Sequence, residues 1–328
     1  MPVISVEHLC KDFKVHKRRK GFWGSLSSTV TREYDIIKAV EDVNFTLERG
    51  ELVGYIGANG AGKSTTIKML TGILVPTSGH IDVMNLTPYL HRKENARRIG
   101  VVFGQRTQLW WDLPVIDSFE LLKHIYEIPE NRYKHNLEFF SELLQLRPFL
   151  CTPVRKLSLG QRMRCDLTAA LLHDPEILYL DEPTIGLDVV AKEQVRQFLK
   201  QINAERQVTV ILTTHDLNDV EQVCGRLIII DKGKLIYDGG IDALKNQYGK
   251  TRMLIVDLAQ PYTDIDLEAV SLTRREENRI WLAFDRDTLP ASEVISQLTS
   301  RYEVRDLTIS EPEIEEIVRR IYKFGMSQ

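Results

Sequence analysis

The eight residues Gly57-Ala58-Asn59-Gly60-Ala61-Gly62-Lys63-Ser64 constrain this chain more than any other stretch. They fit the phosphate-binding pattern G-x-x-x-x-G-K-[ST], and the context is the one that pattern requires. Residues 51–57, Glu-Leu-Val-Gly-Tyr-Ile-Gly, read as a buried strand running into the glycines, and Lys63 to Leu70 reads as a helix. Gly60 and Gly62 let backbone amides curl around an anion, and the helix adds the positive end of its dipole. Lys63 is placed to reach the outer phosphates and Ser64 to hold magnesium. Further short runs rich in β-branched residues, at 99–103, 177–181, 208–212 and 227–230, alternate with helical patterns such as Val195, Phe198, Leu199 and Ile202 on one face. That alternation predicts an α/β fold with a mostly parallel sheet covered on both sides.

Two stretches depart from the alternation. Residues 2–13 and 38–47 alternate like antiparallel strands, and between them, at about 15–37, lies an insert with Lys14, His16, Lys17, Arg18, Arg19 and Lys20 followed by Phe22 and Trp23. Basic residues beside aromatic rings suit a lipid headgroup boundary, so this insert is expected to project towards a membrane-facing side. Between Gln105 and Gln161 the strand pattern gives way to helical spacing, with Leu121, Leu122 and Ile125, then Leu137, Phe140, Leu143 and Leu144. After Gly249 a small α+β region follows: strands at 253–258, 280–284 and 303–309, a helix at 290–302, and a last helix with Ile314, Ile317, Val318 and Ile321 on one face. The expected division is a nucleotide-binding domain at 1–245, with a helical subdomain at about 105–165, and an accessory domain at 250–328.

Composition excludes other classes of function. A chain of 328 residues with a formal net charge of -3 carries no global basic field for nucleic acid. Its four cysteines, Cys10, Cys151, Cys165 and Cys224, form no C-x-x-C pair, so neither a zinc site nor a disulfide framework is indicated. The first residues, Met-Pro-Val-Ile-Ser-Val-Glu-His, do not read as a signal peptide, and no apolar run approaches the roughly 20 residues that span a bilayer. Work at a membrane would require docking onto another subunit.

The second chemical element is Ile177-Leu178-Tyr179-Leu180-Asp181-Glu182. An apolar strand delivers Asp181 rigidly to a magnesium ion, and Glu182, one residue later, can polarise an attacking water. Ahead of this pair stands Leu157-Ser158-Leu159-Gly160-Gln161, which resembles the L-S-G-G-Q signature of ABC ATPases, with Leu159 in place of the second glycine. Gly186-Leu187-Asp188 resembles the D-loop of that family, and Thr213-Thr214-His215 its switch histidine.

The resemblance covers residues 3 to about 240 and implies a RecA-like core with an antiparallel β layer and a helical subdomain. It implies ATP and Mg2+ as ligands. Phe13 would stack on adenine, and Gly57, Ala58, Asn59, Gly60, Ala61, Gly62, Lys63, Ser64, Thr65 and Thr66 would hold the phosphates. Ser64, Gln105 and Asp181 would serve the metal, and Glu182, His215 and Lys63 the hydrolysis. For Gln105 the count forward from Ile99 reaches Gly104, whereas the count back from Pro114-Val115 reaches Gln105, so one residue is inserted nearby. Ser158, Gly160, Gln161 and Asp188 would act on ATP held by a second nucleotide-binding subunit, either an identical or a related chain. Separate transmembrane permease subunits are the implied partners, which places the chain peripherally on the cytoplasmic side of the cell membrane. Trp110-Trp111, just beyond Gln105, suggest a docking surface, because two adjacent large rings are hard to bury in one thin layer. The segment Glu303 to Ile309 followed by Glu311-Pro312 is similar to the small C-terminal domain of ABC-2 type exporter ATPases. A soluble ABC ATPase acting on ribosomes or nucleic acid is the alternative, but the chain has neither a second cassette nor a long coiled-coil insertion. A scaffold without turnover is disfavoured because Lys63, Asp181, Glu182 and His215 are all present.

Overall fold

The computed structural model describes residues 2–16, 34–104, 106–249, 251–262, 264–311 and 314–324. Most of the 15–37 insert and Gln105 therefore lie outside the described residues. The chain divides into two compact units, 1–238 and 239–328. In chain order the first contains β1 (Ile4–His16), β2 (Tyr34–Leu47), β3 (Leu52–Gly57), α1 (Lys63–Leu70), β4 (Ser78–Val83), α2 (Arg92–Arg98), β5 (Ile99–Phe103), α3 (Val115–Ile125), α4 (Glu130–Leu143) and α5 (Leu159–Leu171). It continues with β6 (Ile177–Asp181), α6 (Val189–Arg206), β7 (Thr209–Thr213), α7 (Leu217–Val223), β8 (Arg226–Asp231) and β9 (Lys234–Gly240), within which the division falls.

The central sheet has the order β5-β6-β7-β3-β8-β9, and the β5–β6, β6–β7, β7–β3 and β3–β8 pairs are parallel. Ile177 to Leu180, Val210 to Leu212 and Leu227 to Ile230 are all buried. These continuous apolar runs, without alternation, mark strands covered on both faces. Register decides where chemistry can occur: Phe103 lies opposite Asp181, and Asp181 opposite Thr213, so the carboxyl ends of β5, β6 and β7 form one row. β3 ends beside them and feeds the glycine-rich loop, the position at which open α/β sheets receive ligands.

A second, three-stranded sheet has the order β2-β1-β4, with both neighbours antiparallel to β1. Val40, Val43, Phe45 and Leu47 of β2 face the core, where Phe45 meets Tyr55 of β3 with ring centroids 5.8 Å apart. The β1–β2 ribbon runs on beyond the expected limits, with Val15 opposite Asp35, and its arms expose Val15, Ile36 and Ile37. Helices replace strands after Phe103 as the spacing predicts. Leu122, Phe140 and Leu144 are buried, but Leu121 and Ile125 stay exposed, so only part of the α3 stripe enters the core.

The second unit continues with α8 (Ile241–Tyr248), β10 (Thr251–Leu258), β11 (Val270–Glu276), β12 (Arg279–Asp285), α9 (Ala291–Arg301), β13 (Val304–Ser310) and α10 (Ile314–Phe324). Its antiparallel sheet, β11-β12-β10-β13, buries Leu254, Val256, Ile280, Leu282 and Phe284 against Val294 and Leu298 of α9. The stripe Ile314, Ile317, Val318 and Ile321 is buried, and α10 packs on α8. The sequence pattern missed β11 because this edge strand is exposed and ends in Arg274, Arg275 and Glu276, which give no apolar alternation. Among the described residues no helix is long and apolar enough to cross a membrane.

Tyr179 is fully buried in β6 and its hydroxyl has no hydrogen-bond partner among the described residues. Removing an unsatisfied buried polar group relieves its desolvation penalty, so Tyr179→Phe is expected to raise unfolding stability by about 1 kcal/mol. Urea titration checks this; a loss of stability would mean that the hydroxyl has a bonding partner in solution.

Candidate functional site

The loop after β3 takes its shape from three glycines that cannot be replaced without collision or strain. A Cβ on Gly62 would lie 2.4 Å from the Ala39 carbonyl oxygen and one on Gly57 would lie 2.6 Å from that of Ile230, while Gly60 adopts φ +83. The Ala61 amide turns back to the Ala58 carbonyl at 3.0 Å. Lys63 opens α1, and its Nζ donates to the Gly57 carbonyl at 2.7 Å and the Ala58 carbonyl at 3.3 Å, closing the loop over itself. Burial pulls the Lys63 ammonium below the usual lysine range, and the carboxylates of Glu182 and Asp181 oppose that pull. Thr66 departs from the expected phosphate contact: it is buried, its hydroxyl donating to the Gly62 carbonyl at 3.1 Å and accepting from Tyr55 at 3.2 Å.

The row at the strand ends converges on Asp181. Its Oδ1 accepts from Ser64 Oγ at 3.2 Å and from Thr213 Oγ1 at 2.6 Å, linking β6, β7 and the first turn of α1. One carboxylate beside one hydroxyl is a hard oxygen donor pair that suits a divalent cation completing its shell with water and phosphate. In sequence the run Thr213-Thr214-His215 points only to its histidine, and it is the pairing of β6 with β7 that brings Thr213 to Asp181.

Glu182 sits on a left-handed backbone, φ +56, which is a strained conformation for glutamate. Its amide is held by Thr213, 2.9 Å from the carbonyl and 3.3 Å from the hydroxyl oxygen. Gly104 presses from the other side: its amide donates to the Asp181 carbonyl at 2.8 Å, and a Cβ there would lie 1.9 Å from the Glu182 carbonyl oxygen. His215 brings Nδ1 to 3.6 Å from Glu182 Oε1, close enough for electrostatic contact but too long for a hydrogen bond. Ser64, Lys68, Ile73, Phe103, Gly104, Arg106, Asp181 and Glu182 line one cleft of ≈ 480 Å³. Arg106 and Lys68, which the sequence reading did not single out, place positive charge at this cleft.

Ser158 is the N-cap of α5, in a capping box with Gln161. Ser158 Oγ accepts from the Gln161 amide at 3.2 Å, and Gln161 Oε1 accepts from the Ser158 amide at 2.9 Å. This leaves the serine O–H free to donate outwards at a helix N-terminus, whereas the Gln161 side-chain oxygen is committed to the cap. Asp188 in turn caps α6, accepting from the Ala191 amide at 2.8 Å. Leu159, the departure from the signature pattern, packs on the D-loop of its own chain: a Cβ on Gly186 would lie 3.1 Å from Leu159 Cδ2. Phe13 is partly exposed, with the Lys11 ammonium 5.3 Å from its ring centroid. Trp110 and Trp111 are 38% and 50% exposed, so neither ring serves mainly as core packing.

A glycine loop at a helix N-terminus, a strand-end aspartate bonded to the loop serine, and a neighbouring glutamate and histidine define a P-loop ATPase. Residues 40–185 match the ABC transporter family. The ABC transporter ATP-binding protein NatA of Bacillus subtilis is 34% identical over 209 residues, 64% of this chain and 85% of that protein. The bacitracin transport ATP-binding protein BcrA of Bacillus licheniformis is 33% identical, with 68% of this chain and 72% of that protein covered. Among solved structures, cbiO1 from Clostridium perfringens, part of the ABC transporter complex cbiONQ, superposes with a TM-score of 0.61 at 25% identity, covering 75% of this chain and 91% of that one. The ATP-binding cassette MJ0796, solved as a dimer in a post-hydrolysis state with ADP and Pi, gives 0.59 at 26% identity, covering 73% and 98%. The chain belongs to the ABC transporter family, as an ATP-binding and ATP-hydrolysing subunit.

The close approach of Gly104 to Glu182 makes a specific demand. A methyl group at 104 must displace the Glu182 peptide next to Asp181, and a misplacement of about 1 Å at a reacting site can cost on the order of 100-fold in rate. Gly104→Ala is therefore expected to lower steady-state ATP turnover by at least about tenfold while the protein remains folded. Phosphate-release kinetics with circular dichroism check this; unchanged turnover would show that the Glu182 peptide yields without loss.

Proposed function

We propose that this chain is the motor subunit of an exporter whose membrane-spanning subunits are separate polypeptides, attached peripherally to the membrane through them. The observation that carries the reading is the row formed by Ser64, Asp181 and Glu182, facing one cleft at the carboxyl ends of the strands, with the buried Thr213 holding Asp181 from behind. The relatives named for transport and cbiO1, which is part of the transporter complex cbiONQ, support a division between motor and permease. Export is supported by the likeness of the C-terminal unit to that of ABC-2 type exporter ATPases. That unit is read as an accessory domain of about 250–328, following a nucleotide-binding domain of about 1–245.

The proposed working state is a head-to-tail dimer, which the dimeric cassette MJ0796 supports. Each phosphate loop, Gly57 to Thr65, holds one ATP, and Phe13 offers a partly exposed ring to the adenine. Ser158 from the second copy donates its free O–H towards the γ-phosphate, with the N-terminus of α5 behind it. Ser64 and Asp181, with Gln105 as a further candidate, would hold Mg2+, which neutralises charge on the transferring phosphoryl group. Glu182 polarises the attacking water, and its backbone is fixed for that task by Thr213 and Gly104. His215, beside Glu182, stabilises charge that develops on the γ-phosphate.

Glu182→Gln should lower turnover by about 100-fold or more, since that is the scale of general-base catalysis, while ATP affinity stays within about twofold. Size-exclusion chromatography should show it accumulating as a nucleotide-bound dimer. Near-normal phosphate release by this variant would remove Glu182 from the proposed role.

Trp110, Trp111, Leu121 and Ile125 leave apolar surface exposed on the helical region, which suits a cytoplasmic helix of a permease. Alanine at Trp110 or Trp111 should leave the melting temperature of the isolated chain nearly unchanged and weaken assembly with membrane subunits by about 1 kcal/mol or more. Co-purification from detergent extracts measures this, and normal assembly of both variants would exclude the tryptophans from the interface.

A further inference from the structure

Asp166 stands on α5 eight residues beyond Ser158, about 12 Å further along the helix axis. It is 4% exposed, and a carboxylate so placed requires compensation. The compensation comes from the segment that leads into the two tryptophans. Asp166 Oδ1 accepts from Thr107 Oγ1 at 2.7 Å and from the Gln108 amide at 3.1 Å, and Gln108 Nε2 donates back to the Asp166 carbonyl at 2.8 Å. Thr107 Oγ1 also accepts from the Leu109 amide at 3.2 Å. Burial pushes the Asp166 carboxyl up to about 6, against the opposing effect of Thr107, the Gln108 amide and Arg162. At neutral pH the group is ionised and its hydrogen bonds are charge-assisted.

The attachment continues along the loop. Arg162, one turn before Asp166 on the same helix, lies 5.6 Å from the Trp111 ring centroid. The amides of Val154 and Arg155, just before α5, donate to the carbonyls of Leu113 and Trp111 at 3.0 Å each. On the other side, Gly104 donates to the Asp181 carbonyl at 2.8 Å and Arg106 to the Phe103 carbonyl at 2.9 Å. The chain therefore changes attachment between Arg106 and Thr107: Gly104 and Arg106 are bonded to the strand ends, and the residues from Thr107 on to α5, its leading turn and, at Trp110, the Ser118 hydroxyl of α3 at 3.2 Å.

We infer that Asp166 is a positioning residue that makes the tryptophan loop and the signature helix move as one body. A push on Trp110 and Trp111 is thereby delivered to Ser158, and closure of Ser158 on nucleotide is delivered to the tryptophans. The inference rests on the reading of Ser158 as an ATP contact and of the loop as a docking surface.

Hydrogen–deuterium exchange on the full chain carrying Glu182→Gln, with and without Mg-ATP, tests it. With Asp166 intact, ATP is expected to change exchange at the amides of Gln108 and Leu109 by about tenfold, the scale of one bond to a charged acceptor. Asp166→Ala is expected to bring that ratio close to one at unchanged ATP affinity, and Asp166→Asn, which keeps a neutral Oδ1 acceptor, to restore it in part. Rescue by Asn separates coupling from a general loss of structure. Thr107→Val removes one donor while the carboxylate keeps its backbone partner; it replaces Asp166→Ala if that variant does not fold, and is expected to reduce the ratio. An undiminished ATP response in whichever variant folds, or no response in parent protein that has closed into dimers, overturns the inference. Normal assembly of the Trp110 and Trp111 alanine variants, with the ATP response at Gln108 intact, would remove the docking reading and leave the Asp166 linkage standing.

Discussion

The hydrogen bonds that converge on Asp181 are the constraint on which the rest of the site depends. Ser64 from the start of α1 and Thr213 from the end of β7 both donate to one oxygen of this strand-end carboxylate. β7 lies between β6 and β3 in the sheet, so the loop that follows β3 must reach across a strand to meet Asp181. Only a sheet in this order, with the parallel register that sets Asp181 opposite Thr213, brings the three groups together. These strands are buried on both faces, so close packing holds the register: a slip by one residue would set each side chain in a space shaped for its neighbour.

Around that point the protein accepts local strain and crowding. Glu182 is held left-handed, its amide fastened to Thr213 and its carbonyl closely approached by Gly104. Strain of this kind persists only where surrounding structure over-determines it, and here two strand ends do so. The same economy governs the helix termini. Ser158 and Asp188 each cap a helix, and each is also a residue that the proposed dimer would use across its interface. A cap fixes side-chain direction, so reading Ser158 as a helix cap and reading it as a nucleotide contact describe one arrangement.

Much of this was legible in the residues. The phosphate loop, the acidic pair, the signature and the D-loop are short and local, and the apolar runs at 99–103, 177–181 and 227–230 fall within β5, β6 and β8. What escaped were features without a local pattern. β11 is a polar edge strand, recognisable only by its pairing with β12. Thr213 was read as a neighbour of His215 rather than as a partner of Asp181, because the contact spans 32 positions. The family resemblance extends the phosphate contacts to Thr66, yet Tyr55 and Gly62 hold its hydroxyl inside the protein. Asp166 gave no signal in a stretch that reads simply as helix.

The sequence by itself determined which chemical groups are on offer: a glycine-rich loop at a helix start, a pair of carboxylates at a strand end and a histidine beyond a core strand. It did so because glycine placement, strand polarity and helix starts are set by residues close together in the chain. Tertiary structure alone decided which of these groups touch. It placed Ser64 on Asp181, pressed Gly104 against Glu182, and fastened the tryptophan loop to the signature helix through Asp166. Such contacts follow from strand order, register and the packing of helices across many positions, and side-chain directions in three dimensions are not encoded in any one window of sequence.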